Sequence, residues 1–360
     1  MNWIKDRTLS EYKPGETIAE LAERIGVDPS SILKLNANEN LFLSKRLQRK
    51  VVSDALSGLD PRLYPDEGEQ LEKELGAYLD VDPDSIIVGN GSDQLIELII
   101  YSTLQSGDEV IAINPTFSMY RRAVKIRGAV YKAVDLNEDF SLDSGKMLEA
   151  VSDRTKLMII CNPNNPTGNQ FREESISELI NGFEGLIILD EAYIEFALSS
   201  MVRETEKYPN LVVLKTFSKA FGLAGVRLGY AVTNPQLTSV LKSMYQMPYN
   251  VSQISRQIGS QVLKNKLEIM DSVDEAVKIR EWLYTQLSRI PGVRVFDSDT
   301  NFILFNTPVD ADKVYQKLLS KGIIIRKFGK ILDYDNCLRV TVAPLQFMEA
   351  FLKGLKEALE

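Results

Sequence analysis

A chain of 360 residues, 44% hydrophobic and 26% charged, can bury the core of one large domain and a smaller one. Its formal net charge of −8 argues against nucleic-acid or anionic-membrane surfaces, which need clustered lysine and arginine. The complete lack of histidine removes Ser-His-Asp and Cys-His nucleophile systems, histidine zinc sites and any imidazole base, and no metal is expected. A proton carrier working near neutral pH must then be a tuned lysine, tyrosine, cysteine or carboxylate, or a cofactor.

The first thirty residues, with Trp3, Tyr12–Gly15 and a helical Glu16–Ile25, read as an arm and short helix, and residues 1–34 are assigned to it. From about Ser85 a unit recurs: an apolar β-rich run, a loop of Gly, Asn, Pro or Ser, then an amphipathic helix. The runs are 86–88, 109–113, 129–134, 156–161, 186–189, 211–214 and 228–232. Fully apolar strands alternating with helices predict an α/β fold with a mostly parallel, seven-stranded sheet covered on both faces, over residues 35–245. After Asn234 the texture changes. A helix at 235–244 and a long helical stretch near 255–290 precede strands at 293–296 and 302–306. A helix at 311–319, strands at 323–325 and 338–342 and a closing helix follow, a smaller α+β domain over residues 246–360. The longest apolar runs are strand-sized, too short to span a bilayer. Cys161 and Cys337 lie in apolar runs, and Met1–Ser10 has no signal-peptide pattern. They are expected to be reduced, buried thiols in a cytoplasmic protein.

Ligands of open α/β sheets bind beyond the carboxyl ends of the strands. Five polar clusters fall there: Gly89–Asp93, Asn114–Phe117, Asn162–Gly168, Asp190–Tyr193 and Lys215–Lys219. Each alone also reads as turn chemistry, with Ser92 or Asp93 as a helix cap. Together they predict one crevice. Gly89–Asp93 opens a helix whose N-terminal amides suit a small phosphate, and it lacks the G-x-G-x-x-G pattern of a dinucleotide site. Asp190 ends an apolar strand, where a carboxylate is costly unless a cation partners it. Lys219 stands among hydroxyls and aromatics, a setting that lowers an amine's pKa and favours Schiff-base chemistry.

Asn162–Gly168, Asp190–Tyr193 and Ser218-Lys219 with Arg227 resemble the fold-type I pyridoxal-phosphate transferases, specifically their aminotransferases. The wider pattern of Leu35–Asn40, Arg62–Pro65, Gly89–Asp93, Arg326 and Arg339 is most similar to the histidinol-phosphate aminotransferase group. The resemblance runs from about Tyr12 to the last helix.

The resemblance implies that Lys219 carries pyridoxal 5'-phosphate as a Schiff base and, once displaced, shuttles the substrate's proton. Asp190 would hold the ring nitrogen protonated, which makes the ring an electron sink. Asn165 and Tyr193 would bond its phenolic oxygen. Ser92, Asp93, Thr216, Ser218 and Arg227 would bind its phosphate, with Tyr64 reaching in from a second subunit of a homodimer with shared sites. Phe117 stands at the ring-stacking position, often tyrosine in relatives. Arg339 would clamp the carboxylate of glutamate or 2-oxoglutarate. Arg326, Tyr12 and Asn38 would hold the phosphate of an amino-alcohol substrate. The implied reaction is transamination of L-histidinol phosphate with 2-oxoglutarate, a step of histidine biosynthesis. An aromatic or broad-specificity aminotransferase and a phospho-amino-acid decarboxylase of the same fold are the alternatives.

Overall fold

The computed structural model of the protein describes residues 17–65 and 69–360, so the expectations for Trp3 and Tyr12 lie outside the described residues. The first helix, Ile18–Ile25, opens with a capping box. The Thr17 hydroxyl accepts from the Glu20 amide, and the Glu20 carboxylate accepts from the Thr17 amide.

The central sheet has seven strands: β1 (Ile86–Gly89), β2 (Glu109–Asn114), β3 (Val130–Asp135), β4 (Thr155–Cys161), β5 (Leu186–Asp190), β6 (Leu211–Thr216) and β7 (Gly229–Val232). Their order is β1-β7-β6-β5-β4-β2-β3. Strand β7 runs antiparallel to both neighbours and the other pairings are parallel, as the alternating strand–helix pattern predicts.

The inner strands are apolar because both faces are covered. Met158, Ile160, Ile187, Leu189 and Val213 enter one core cluster, while Leu157, Ile159, Ile188, Val212 and Leu214 enter another. That split is the two-residue period of a strand buried on both sides. The edge strand β3 is mostly exposed or half-buried, and its Lys132 and Asp135 blunt the edge.

Beyond β7 a second, antiparallel sheet is built from β8 (Arg294–Val295), β9 (Phe302–Asn306), β10 (Arg326–Ile331) and β11 (Tyr334–Thr341), ordered β10-β11-β9-β8. The helices Ala311–Ser320 and Leu345–Leu359 cover it, with Val314, Leu318, Phe351 and Leu355 packed on Ile303, Phe305 and Leu338. Strand β10 is absent from the expected elements. Arg326, Lys327 and Lys330 are exposed, and register shifts flank Gly329, which is in the left-handed region at φ 75°, so β10 lacks a clean apolar alternation. The strand expected at 323–325 is present as Ile323–Ile324. Its parallel partner Leu33–Lys34 went unread, and the two form a separate short sheet that ties the segment after the first helix to the run leading into β10.

The helical stretch expected near 255–290 is two helices, Gln253–Lys264 and Lys266–Ser288. Asn265, at φ −105° and ψ 25°, ends one and begins the next. The second helix serves two cores: Ile269, Val273 and Ala276 face the large sheet's cluster, and Leu283 and Leu287 the small sheet's. Among the described residues no helix is long and apolar enough to cross a membrane. Cys161 and Cys337 are buried and unpaired.

Leu283 is fully enclosed where the long helix meets the small sheet. Leu283→Ala is expected to lower the unfolding free energy by about 2–5 kcal/mol, read as a shift of the denaturant midpoint. A loss well under 1 kcal/mol would mean that the site collapses around the smaller side chain.

Candidate active site

Asn114, Cys161, Asp190 and Thr216 stand at the carboxyl ends of parallel strands, and the loops beyond them enclose one crevice. Lys219 enters it from the loop after β6. Its Nζ donates to the Ala37 carbonyl at 3.0 Å and sits 5.6 Å from the centre of the Tyr193 ring. Burial, and then the positive Arg339, draw this amine down to about 8. The low-pKa setting expected from the sequence is present, and the nearby cation adds to it.

Asp190 ends β5 with 3% of its surface exposed. No cation partners it within the described residues. Its Oδ2 accepts from the Tyr120 hydroxyl at 2.5 Å and its Oδ1 from the Ala192 amide at 3.1 Å. Burial outweighs both donors and pushes the carboxyl up to about 6. An uncompensated buried carboxylate aimed into a crevice is suited to a cationic ligand atom.

A second feature suits an anion. The helix Ser92–Thr103 starts from Gly91, not from a capping side chain, and no side chain bonds its first amides. Ser92 and Asp93 are thus the first helical residues, not the caps. Two close approaches explain the glycines. A β-carbon at Gly91 (φ 81°) would meet Arg227 Nη2 at 2.7 Å, and one at Gly229 would meet the Ser92 nitrogen at 2.5 Å. Arg227, itself at φ 53°, donates to Asp93 Oδ2 at 3.0 Å and to Ser218 Oγ at 3.4 Å, while the Ser218 amide donates to Thr216 Oγ1 at 3.1 Å. Ser92, Asp93, Thr216, Ser218 and Arg227 therefore gather at one end of the crevice.

The other wall comes from Leu35–Asn40 and the second sheet. Asn38, at φ 56°, donates its side-chain amide to the Tyr193 hydroxyl at 3.0 Å, and Asn165 donates to the same oxygen at 3.3 Å. Arg339 on β11 donates to Asn165 Oδ1 and to the Asn36 carbonyl, and lies on the Phe302 ring at 4.7 Å. Its Nε is buried without a partner. Arg326 is the residue paired opposite Arg339 across the β10–β11 ladder, and both guanidinium groups approach Phe328. Like charges facing each other across a strand pair are unfavourable, and an anion between them relieves the repulsion.

Phe117 precedes the helix Ser118–Arg127 and meets Tyr120 edge to face at 5.5 Å. Tyr64 does not join the group within its own subunit. It is 79% exposed and stacks on Tyr249 at 4.7 Å. Three contributors went unnoticed in the sequence: Tyr120, the main chain of Asn36–Ala37, and the Phe302–Phe328 pair beside Arg339. Tyr120 had one available signal, its place three residues after Phe117 on a helix beginning at a strand end.

In ligand-free protein Asp190 holds its proton to a higher pH when folded than when unfolded. Its contribution to stability is therefore present below the ordinary carboxylate range and lost as pH rises towards about 6. Urea midpoints measured between about pH 4 and pH 7 should show that loss in the parent and a flatter profile in Asp190→Asn. Superimposable profiles would contradict this.

The family model "Aminotransferase class I and II" matches residues 30–352. A histidinol-phosphate aminotransferase of Thermoanaerobacter pseudethanolicus is 40% identical over 328 residues, covering 91% of this chain and 93% of the relative. The crystal structure of a histidinol-phosphate aminotransferase from Sinorhizobium meliloti in complex with pyridoxal-5'-phosphate superimposes with a TM-score of 0.86 over 96% of this chain and 95% of that one; at 24% identity the match shows the fold. A histidinol-phosphate aminotransferase from Clostridium acetobutylicum gives a TM-score of 0.83 at 27% identity, over 91% of this chain and 99% of that one. With a crevice at the strand ends and a match over nearly its whole length, the chain belongs to the class I and II aminotransferases.

Proposed function

We propose that the protein transfers an amino group from L-histidinol phosphate to 2-oxoglutarate, with pyridoxal 5'-phosphate as its cofactor. The residues fit that group at three separate points. Asp190 is a buried carboxylate lacking a cation, which suits a protonated ring nitrogen. The free amides of Ser92–Thr103, with Arg227 and Ser218, suit a phosphate. Lys219 offers an amine lowered to about 8, reactive towards an aldehyde. When bound, the cofactor supplies an electron sink for negative charge at the substrate's Cα.

The chain's own residues do the rest. The Lys219 amine would take the Cα proton and return it, and the chain has no histidine to compete for the task. Tyr193 and Asn165 would hold the cofactor's phenolic oxygen, and Phe117 would pack against its ring. Asp190 would supply the charge that keeps the ring nitrogen protonated. Arg339 holds a substrate carboxylate by its planar fork, while Arg326 and Asn38, with Tyr12, hold the phosphate of the amino alcohol.

The observation that carries the substrate assignment is the Arg326–Arg339 pair with its unpartnered buried Nε. Two facing guanidiniums suit a reaction whose substrates are anionic at the end remote from the reacting carbon. The names of relatives covering nine-tenths of the chain support the same choice.

We further infer a homodimer in which Tyr64 reaches the partner's cofactor phosphate. Leu63, Tyr64, Met244, Tyr245, Met247 and Tyr249 are exposed large side chains, and Tyr64 stacks on Tyr249. Gln246 and Asn250 of the same segment donate to the Val88 carbonyl on the strand that leads into Gly89–Asp93. Apolar side chains left in water there suit a covering partner. The unpaired Cys161 and Cys337 fit a reducing, cytoplasmic setting.

Histidinol phosphate should exceed phenylalanine in kcat/KM by at least about two orders of magnitude, because phenylalanine, whose carboxylate can meet Arg339, brings no phosphate to Arg326. Equal values, or release of CO2 from a phosphorylated amino acid, would contradict the assignment. Arg339→Gln should cost about 2–5 kcal/mol in kcat/KM for 2-oxoglutarate, measured by steady-state kinetics. Mixing Tyr64→Phe with Lys219→Ala subunits should regain activity absent from the Lys219→Ala homodimer, through hybrids with one intact site. Hybrids no more active than the parents would remove Tyr64 from the partner's site.

A further inference from the structure

Asp190 is asked to stay charged where charge is costly. The groups facing it from the surrounding elements are Tyr120 on Ser118–Arg127, Cys161 opposite it on β4, Tyr193 and Glu191 in its own loop, and Asp93 on Ser92–Thr103. Asp93 and Glu191 are like charges and oppose its ionisation. Among the described residues Tyr120 is the side chain that hydrogen-bonds to it, at 2.5 Å, from a fully buried position. The same ring meets Phe117 edge to face at 85°.

We propose that Tyr120 is the positioning residue of the cofactor ring, holding Asp190 ionised and oriented through its hydroxyl while its ring seats Phe117. The inference rests on the pyridoxal-phosphate reading above. A phenol suits the task because it is neutral. It stabilises the carboxylate by donating a hydrogen bond, yet leaves the negative charge available to a ring nitrogen. A buried lysine or arginine in its place would satisfy Asp190 and compete with the ligand. Phe117 and Tyr120 lie one helical turn apart, so one element fixes both the face contact and the nitrogen contact of the ring.

Tyr120→Phe removes the hydroxyl and keeps the ring against Phe117. In ligand-free protein, the pH range over which stability falls should extend upward by about one pH unit or more relative to the parent, because the folded carboxyl loses the donor that favours its charge. A packing role alone would lower the whole stability curve and leave that range where it was. In cofactor-loaded protein at pH 7, kcat should fall tenfold or more, with both KM values within twofold. An unmoved range or an unaltered kcat overturns the proposal. Asp190→Asn, measured alongside, separates the two failures. If it leaves cofactor affinity and kcat intact, the cofactor reading fails and the inference with it. If it impairs both while Tyr120→Phe behaves as the parent, only the role of Tyr120 falls.

Discussion

A carboxylate buried at the end of a strand, with no cation beside it among the described residues, sets the terms for the rest of this site. Asp190 costs stability as an anion, and its hydroxyl and amide partners recover only part of that cost. Asp190 stands on β5, the central strand, paired with β4 on one side and β6 on the other. Placing the charge at the end of a strand paired on both sides fixes its position for a ligand.

The other polar groups are arranged as complements to that anion. At one end of the crevice a helix start without a capping side chain and a guanidinium stacked over Gly91 offer positive potential. On the far wall Arg339 and Arg326 repeat that sign. Lys219 lies between, and the same arginine that would draw anionic substrates also lowers its pKa. In the proposed reaction, substrate recognition and base strength would thus be coupled through one side chain: removing Arg339 would weaken anion binding and let the lysine amine rise.

Much of this was legible in the residues. Strands β1 to β7 appear as short apolar runs because both faces of the sheet are buried, and the polar clusters that follow them mark the strand ends where ligands bind. The lysine and the aspartate stand out in those clusters, and the family resemblance singled out the hydroxyls and the arginine that the fold gathers at one end of the crevice. What escaped notice has physical reasons. Tyr120 reads as an ordinary core aromatic, because its hydroxyl's partner is 70 residues away and only the fold brings them together. Strand β10 carries cations and a glycine bulge where alternation is expected. The break at Asn265 interrupts a continuous helical pattern without proline or glycine. Tyr64 has an aromatic ring on the surface, and the role proposed for it needs a second copy of the chain.

A crystal structure of the protein grown with pyridoxal phosphate tests the central claim most directly. The account predicts continuous density from Lys219 Nζ to the cofactor, the ring nitrogen against Asp190, and the phosphate at Ser92 and Arg227. Density joined to another lysine, or a ring turned with its nitrogen away from Asp190, would contradict it.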